Sequence, residues 1–345
     1  MNKKALLDFS LEQLKEEMVF LGEPVFRAAQ LSRWLTACVP FSGMSNLPKD
    51  FRTKLEKTYV EGYLSVETVL TSRDGTRKYL LKLWDGNVVE TVLMEYDYGR
   101  TLCISTQVGC PMACTFCASG KGGWVRNMSA GELLGQVLRV NAELGEGRNI
   151  TNVVLMGTGE PLLNYNNVVT FLRRINGKES LNIAMRNISL STCGIVPGID
   201  ALAEEGLPIT LCLSLHSAIP SKRQALMPVE EKYPLPLVVE AMKRYNKKTG
   251  RRIIYEYILI EGFNMGEEDA YALSDMVANQ NYHVNLIPLN AAGGPLKAPD
   301  KKRIYGFAEM LSKKGVSATV RRTLGQDIEG ACGQLRARFA KTPAE

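Results

Sequence analysis

No stretch of the chain approaches the ~20 consecutive apolar residues that a membrane-spanning helix needs, although 45% of its 345 residues are apolar. The opening run, MNKKALLDFSLEQLKEEM, is charged and patterned as a helix, without the apolar centre of a secretory signal. Both absences predict a soluble protein of the cytoplasm, where thiols stay reduced. Low-complexity segments and long linkers are missing too. Histidine occurs only twice, as His216 and His283, and each taken alone reads as a satisfied core or rim side chain. Charge of one sign is in modest excess: a net +6 and a pI of about 8.8 permit RNA binding without establishing it. Basic pairs such as Lys222-Arg223 and Arg321-Arg322 read singly as solvated surface.

What the chain does have is eight cysteines at irregular spacing. In a reducing compartment these argue for metal binding or chemistry over a disulfide framework. Cys110, Cys114 and Cys117 fall in GCPMACTFCASG with the spacing C-x3-C-x2-C. That is one ligand short of a closed zinc or iron–sulfur site. Two readings follow. Three thiolates hold a 4Fe–4S cube and leave one iron open, or they form a structural zinc site with a distant fourth ligand.

Periodicity divides the chain into four parts. Residues 1–62 form a helical accessory unit, with an apolar stripe at Leu11, Leu14, Met18 and Leu21. A second helix after Pro24 places Phe26, Ala29, Leu31 and Leu35 near one face, and a third has Asn46 as cap and Pro48 in its first turn. Its Arg27, Lys49, Arg52 and Lys54 suit RNA docking or plain packing. Residues 63–95 form a β-hairpin extension turning at Asp74-Gly75 and Asp85-Gly86. Residues 96–325 alternate strands (102–108, 152–157, 187–192, 209–215, 253–260, 283–289) with amphipathic helices. This predicts an α/β fold, a partial (βα)6 barrel around a parallel sheet, with 318–323 as a further short strand. Residues 326–345 are a tail. Polar groups at the C-terminal strand ends converge on one rim: the cysteine loop, Gly159-Glu160-Pro161, Ser191, the Ser214-Leu215-His216 run and Asn290.

The cysteine loop resembles that of the radical S-adenosylmethionine (radical SAM) superfamily. The longer runs TLCISTQVGCPMACTFCASGKGGWVRN, VVLMGTGEPLLN, LSLHS, LMPVEEKYP, IEGACGQL and LGEPVFRAAQ resemble its RlmN/Cfr family of RNA methyltransferases over nearly the whole chain. The resemblance implies a [4Fe–4S] cluster on Cys110, Cys114 and Cys117, and SAM, used twice per turnover, bound at Gly159, Glu160, Ser191, Ser214, Leu215, His216 and Asn290. It implies that Cys332 accepts a methyl group, that a SAM-derived radical converts this to a methylene radical, and that the radical adds to adenine. Carbon 2 of adenine is not a nucleophile, so this radical route replaces polar attack on SAM. Cys103 then releases the product by forming a transient disulfide with Cys332. Glu90 is the proton acceptor, a role that Cys103 itself could fill. The implied substrates are an adenine of 23S rRNA and adenine 37 of tRNA, with C8 methylation as the alternative outcome. The implied partners are these RNAs and an electron donor such as flavodoxin or ferredoxin, with a monomeric protein and no membrane. Rival classes are a radical SAM activase of another protein and an RNA-binding protein with a structural metal. The family's commoner tail has an acidic residue where this chain has Gln326, and AAGGP after Asn290 lacks the proline that usually follows. Cys38, Cys193 and Cys212 read as small buried residues.

Overall fold

The computed structural model describes residues 3–145, 149–177, 180–290 and 295–335. The AAGG stretch and the last ten residues of the tail lie outside these segments.

The N-terminal unit contains α1 (Leu11–Phe20), α2 (Arg27–Thr36) and α3 (Lys49–Thr58), closed by parallel pairing of β1 (Lys4–Ala5) with β2 (Tyr59–Val60). Ser10 caps α1 in a capping box with Gln13, satisfying two orphan backbone donors at once. Leu14, Met18 and Leu21 are buried as the stripe predicts. The α2 face differs: Ala28, Leu31 and Leu35 are buried, while Phe26 precedes the helix and is exposed. Asn46 does not cap α3. Pro48 stands at that position, and Asn46 Oδ1 accepts from the Trp34 indole at 2.5 Å.

Ten strands form one continuous sheet, ordered β14-β13-β12-β11-β10-β9-β6-β5-β4-β3. Its parallel part runs through β6 (Gly99–Cys103), β9 (Asn152–Leu155), β10 (Ile188–Thr192), β11 (Thr210–Ser214), β12 (Ile253–Leu259), β13 (Tyr282–Pro288) and β14 (Ala318–Val320). These strands are largely buried, in keeping with a parallel sheet covered on both faces. The covering helices are α4 (Ala130–Leu144), α5 (Tyr165–Ile175), α6 (Val196–Glu204), α7 (Pro220–Leu226), α8 (Leu235–Thr249), α9 (Glu267–Val277) and α10 (Lys301–Lys313). The fold is thus α/β with the expected barrel-type sheet, and the short strand after α10 joins it. Residues 65–96 are an antiparallel meander, β3 (Ser65–Thr71), β4 (Arg77–Lys82) and β5 (Val88–Tyr96), that extends this same sheet beside β6.

The first barrel strand ends earlier than the expected 102–108. After Cys103 the chain leaves the sheet, and β7 (Gln107–Gly109) pairs antiparallel with β8 (Trp124–Asn127). The reason lies on α4. The buried Gln136 side chain accepts from Ser105 N at 2.9 Å and donates to Ser105 O at 2.8 Å. A helix side chain therefore replaces a sheet neighbour, and the backbone can turn without orphaned polar groups. Among the described residues no helix is long and apolar enough to cross a membrane.

Candidate active site

The β7–β8 connection carries the three clustered cysteines. Its entry depends on Gly109, whose φ is +75° and whose Cβ would stand 2.0 Å from Gly123 O. Cys110 N donates to Gly123 O at 2.9 Å, Cys117 N to Cys114 O at 3.1 Å and Thr115 N to Leu226 O at 3.0 Å. All three cysteines line one cavity of about 150 Å³ at the strand ends. Among the described residues no three His, Cys, Asp or Glu side chains converge tightly enough for a single metal ion. The three thiols open on one shared cavity, as three ligands of a single iron–sulfur cluster must. Burial pushes the Cys110 thiol up to about 11 and Cys114 higher still. Thiolates there need a compensating positive group, which an iron–sulfur cluster supplies. The residues fit the cluster.

Gly159, Glu160, Ser191, Ser214 and His216 line the same cavity. Gly159 has φ +109° and a Cβ there would meet the Gln107 side chain at 2.7 Å. The Glu160 carboxylate is turned inward: it accepts from Leu162 N at 3.0 Å and Cys193 N at 2.8 Å, and burial raises its pKa. It pins two strand-end loops together. Ser191 Oγ and Ser214 Oγ lie 3.2 Å apart. Leu215 is wholly buried, so only its backbone is available to a ligand.

His216 sits in the left-handed region at φ +59°. Its Nδ1 accepts from Ile258 N at 3.1 Å, leaving the proton on Nε2, and its ring meets Phe116 edge-on at 4.7 Å. Burial, with the Arg223 charge second, lowers its pKa to about 3, so it stays neutral. Arg223 is fully buried, ion-paired with Glu230, and donates to Cys193 O at 2.6 Å.

A second cavity adjoins the first. Cys103 on β6, Cys117 and Cys332 all line it. The segment after β14 crosses the open side of the sheet to reach this place. Gly325 N donates to Asp74 Oδ2 at 2.8 Å, and Asp327 accepts from Ser72 Oγ at 2.5 Å and Arg73 N at 3.2 Å. At the far end, Ala118 N donates to Gly333 O at 2.7 Å and Ser119 Oγ to Leu335 O at 2.8 Å. Cys332 is held between these clamps, its carbonyl accepting from Asn290 Nδ2 at 3.1 Å. Gln326 Nε2 donates to Asn290 Oδ1 at 3.0 Å, a bond that an ionised acidic residue at that position could not give. Asn290 thus touches the tail.

Burial pushes the Cys103 thiol up to about 12, with the Cys332 charge as the next cause. Burial likewise raises Cys332, while the Arg321 guanidinium draws it back. Arg321 lies in the same cavity wall, 3.4 Å from Glu256.

Glu90 lies elsewhere. It lines a third cavity, which shares Ser119 and Leu335 with the Cys332 cavity, and its Oε1 is 3.1 Å from Lys78 Nζ. Lys78 also donates to Glu329 O at 3.1 Å, linking Glu90 to the tail. Sequence reading missed Lys78 and took Arg223 and Arg321 for solvated surface, whereas Arg223 is fully buried and Arg321 lines the Cys332 cavity. Lys78 had a signal: a hairpin turning at Asp85-Gly86 puts it diagonally across from Glu90, since Lys78 pairs with Val92. His283 is spent on Ser317 and Thr319, at 2.9 and 2.7 Å, away from the site.

A parallel barrel sheet with three cysteines ringing a cavity at its strand ends is the architecture of a radical SAM enzyme. The description "Radical SAM superfamily" matches residues 104–273, and "Ribosomal RNA large subunit methyltransferase N-terminal domain" matches residues 4–60. A radical SAM methyltransferase from Sphaerobacter thermophilus superposes with a TM-score of 0.93 at 40% identity, over 97% of this chain and 99% of that one. The chain is 47% identical to the "Probable dual-specificity RNA methyltransferase RlmN" of Symbiobacterium thermophilum, over 98% of its length and 92% of the relative's. It is 46% identical to the protein so named in Clostridium beijerinckii, over 98% and 96%. The chain belongs to the RlmN family of radical SAM RNA methyltransferases, which work with a [4Fe–4S] cluster and SAM.

Proposed function

We propose that the chain methylates C2 of an adenine in 23S rRNA and of adenine 37 in tRNA, through a methylated Cys332. The observation that carries this reading is the meeting of Cys103, Cys117 and Cys332 in one cavity. When bound at Cys110, Cys114, Cys117 and the cavity behind them, the cluster and SAM supply the methyl group and the radical. Gly159, Ser191, Ser214, the Leu215 backbone and neutral His216 orient SAM through hydrogen bonds, while Glu160 braces the loops that carry them. Asn290 completes that set and, in the closed tail, holds the Cys332 backbone. Cys332 carries the carbon to the base. Cys103 attacks the Cys332 sulfur: an S–S bond forms as the C–S bond breaks, and the electron pair leaves onto the base's methylene carbon, which takes a proton. Both thiols reach the cavity, as a disulfide between them requires. Glu90 stands behind Ser119 and Leu335, ion-paired to Lys78, and serves as proton acceptor once the tail moves. Residues 1–62 dock the RNA, residues 63–95 buttress the tail and residues 326–345 deliver the cysteine. A reduced flavodoxin or ferredoxin supplies electrons.

The test is anaerobic incubation of the reconstituted enzyme with SAM, a reductant and unmodified rRNA, read by mass spectrometry. Expected are a methyl group on the Cys332 peptide and 2-methyladenosine in the RNA. Cys103→Ala should accumulate an RNA–protein crosslink at Cys332, and Cys332→Ala should give neither product. An 8-methyladenosine product, or full activity in Cys332→Ala, would overturn the proposal.

A further inference from the structure

The third cavity has a rim that no step above uses. It measures about 560 Å³, within the range of roughly 300–1,000 Å³ usual for ligand pockets. Its walls come from the β4–β5 hairpin at Asn87–Glu90, from β7, and from Gly122 and Val125 of the β7–β8 hairpin. Ser119 and Leu335 line both it and the cavity of Cys332, so the two adjoin at those residues.

The β4–β5 turn and the start of β8, next to residues that line this cleft, expose large apolar groups. Trp84 is 54% exposed, Trp124 51% and Val125 56%. The chain has three tryptophans, and the third, Trp34, is half-buried and bonded to Asn46. Beneath the Trp84 ring, 5.9 Å from its centroid, lies the Arg126 guanidinium. Arg126 is fixed there by Asp85 at 2.7 Å and by both oxygens of Glu132 at 2.7 Å. Exposed Lys121 stands on the same loop as Trp124.

Exposed indole faces, one of them braced by a fixed guanidinium, form a platform for unpaired nucleobases, which stack without regard to sequence. The inner wall holds Glu90, ion-paired to Lys78. Among the described residues no lysine or arginine lines the cleft to neutralise a phosphate, so a base, with its amino donors, suits the interior better than a phosphate does. We propose that this cleft holds an unpaired nucleotide flanking the target adenine, its base stacked on Trp84 or Trp124. The proposal rests on the reading of the enzyme as an RNA methyltransferase and deepens it by assigning an RNA subsite.

Two of the three tryptophans stand on the β4–β5 turn and on β8, the elements whose neighbouring residues wall the cleft, so intrinsic fluorescence reports on it. Titration of the reconstituted enzyme with a short single-stranded RNA should quench that fluorescence, and a duplex of the same composition should quench it less. Trp84→Ala with Trp124→Ala should weaken binding of the single strand about tenfold or more, and Phe at both positions should restore most of it. Methylation of Cys332 by SAM and the cluster absorbance serve as controls and stay at native levels. Absence of quenching in the native enzyme, or binding by the double alanine variant within about twofold of native, overturns the subsite. A native enzyme that quenches with RNA yet never methylates it would instead overturn the functional reading and leave the stacking site standing.

Discussion

At the residue scale, His216 shows how burial decides the role of a titratable group. Its Nδ1 accepts a backbone N–H and its pKa falls to about 3, against about 6.5 when unfolded. Between those values the unfolded chain binds a proton that the folded chain refuses, so stability rises with pH across that window. The thermal midpoint should therefore fall as pH is lowered from 7 towards 4. His216→Asn should flatten part of that slope, since Asn tolerates the left-handed backbone and does not titrate. His283 is also lowered by burial, so the difference between variant and native isolates the share of His216. A slope unchanged by the substitution would mean that His216 is protonated in the fold. Cys103 and Cys332 follow the same physics with the opposite sign. Burial favours their neutral thiols, so the polar steps at sulfur should speed up as pH rises from 7 to 9, read as alkylation rates by mass spectrometry.

At the scale of elements, the strap after β14 is the unit that brings Cys332 to the barrel. Its near end is tied to the β3–β4 turn through Asp74 and Asp327, its far end to the cluster loop through Gly333 and Leu335. Both carboxylates are exposed, so their bonds contribute little to global stability while fixing a local geometry. Asp74→Ala combined with Asp327→Ala should accelerate amide exchange across residues 325–335 and slow Cys332 methylation several-fold. The thermal midpoint should stay within a degree or so. A large fall in the midpoint would show that these bonds hold the barrel and not only the strap.

Across the whole molecule, the N-terminal unit is seated on the barrel through glycines of α4. Gly131 N donates to Asp8 Oδ1 at 2.9 Å, and a Cβ at Gly131 would stand 2.7 Å from Asp8 N and Leu7 C. Backbone cannot yield there as a side chain could. Gly131→Ala should cost about 1–3 kcal/mol, lower the thermal midpoint by several degrees and make the segment before Gly62 more sensitive to protease. Cluster absorbance should persist, because the cysteine loop is held by its own bond from Cys110 to Gly123 and by Leu226 of α7, both outside the N-terminal unit. Loss of the cluster in that variant would show that the two units share one cooperative core.

Much was legible along the chain because it was local. The cysteine spacing is set by a few consecutive backbone bonds, the strands by runs of buried aliphatics, and the β4–β5 hairpin by Asp85-Gly86. The sequence by itself determined a parallel α/β sheet and the three-cysteine loop, and its resemblance to the RlmN/Cfr family is what singled out Cys103 and Cys332. Tertiary structure alone decided who meets whom. It set Glu90 behind Ser119 and Leu335, paired with Lys78, and let Gln136 of α4 end β6 at Cys103. It bonded the Glu160 carboxylate to Leu162 N and Cys193 N and bound Asn290 to the backbone of Cys332. Those outcomes depend on contacts between residues far apart in the chain, whose closeness follows from how the sheet curls and where the strap crosses it. Periodicity records which face of an element is buried; it holds no record of what that face is buried against.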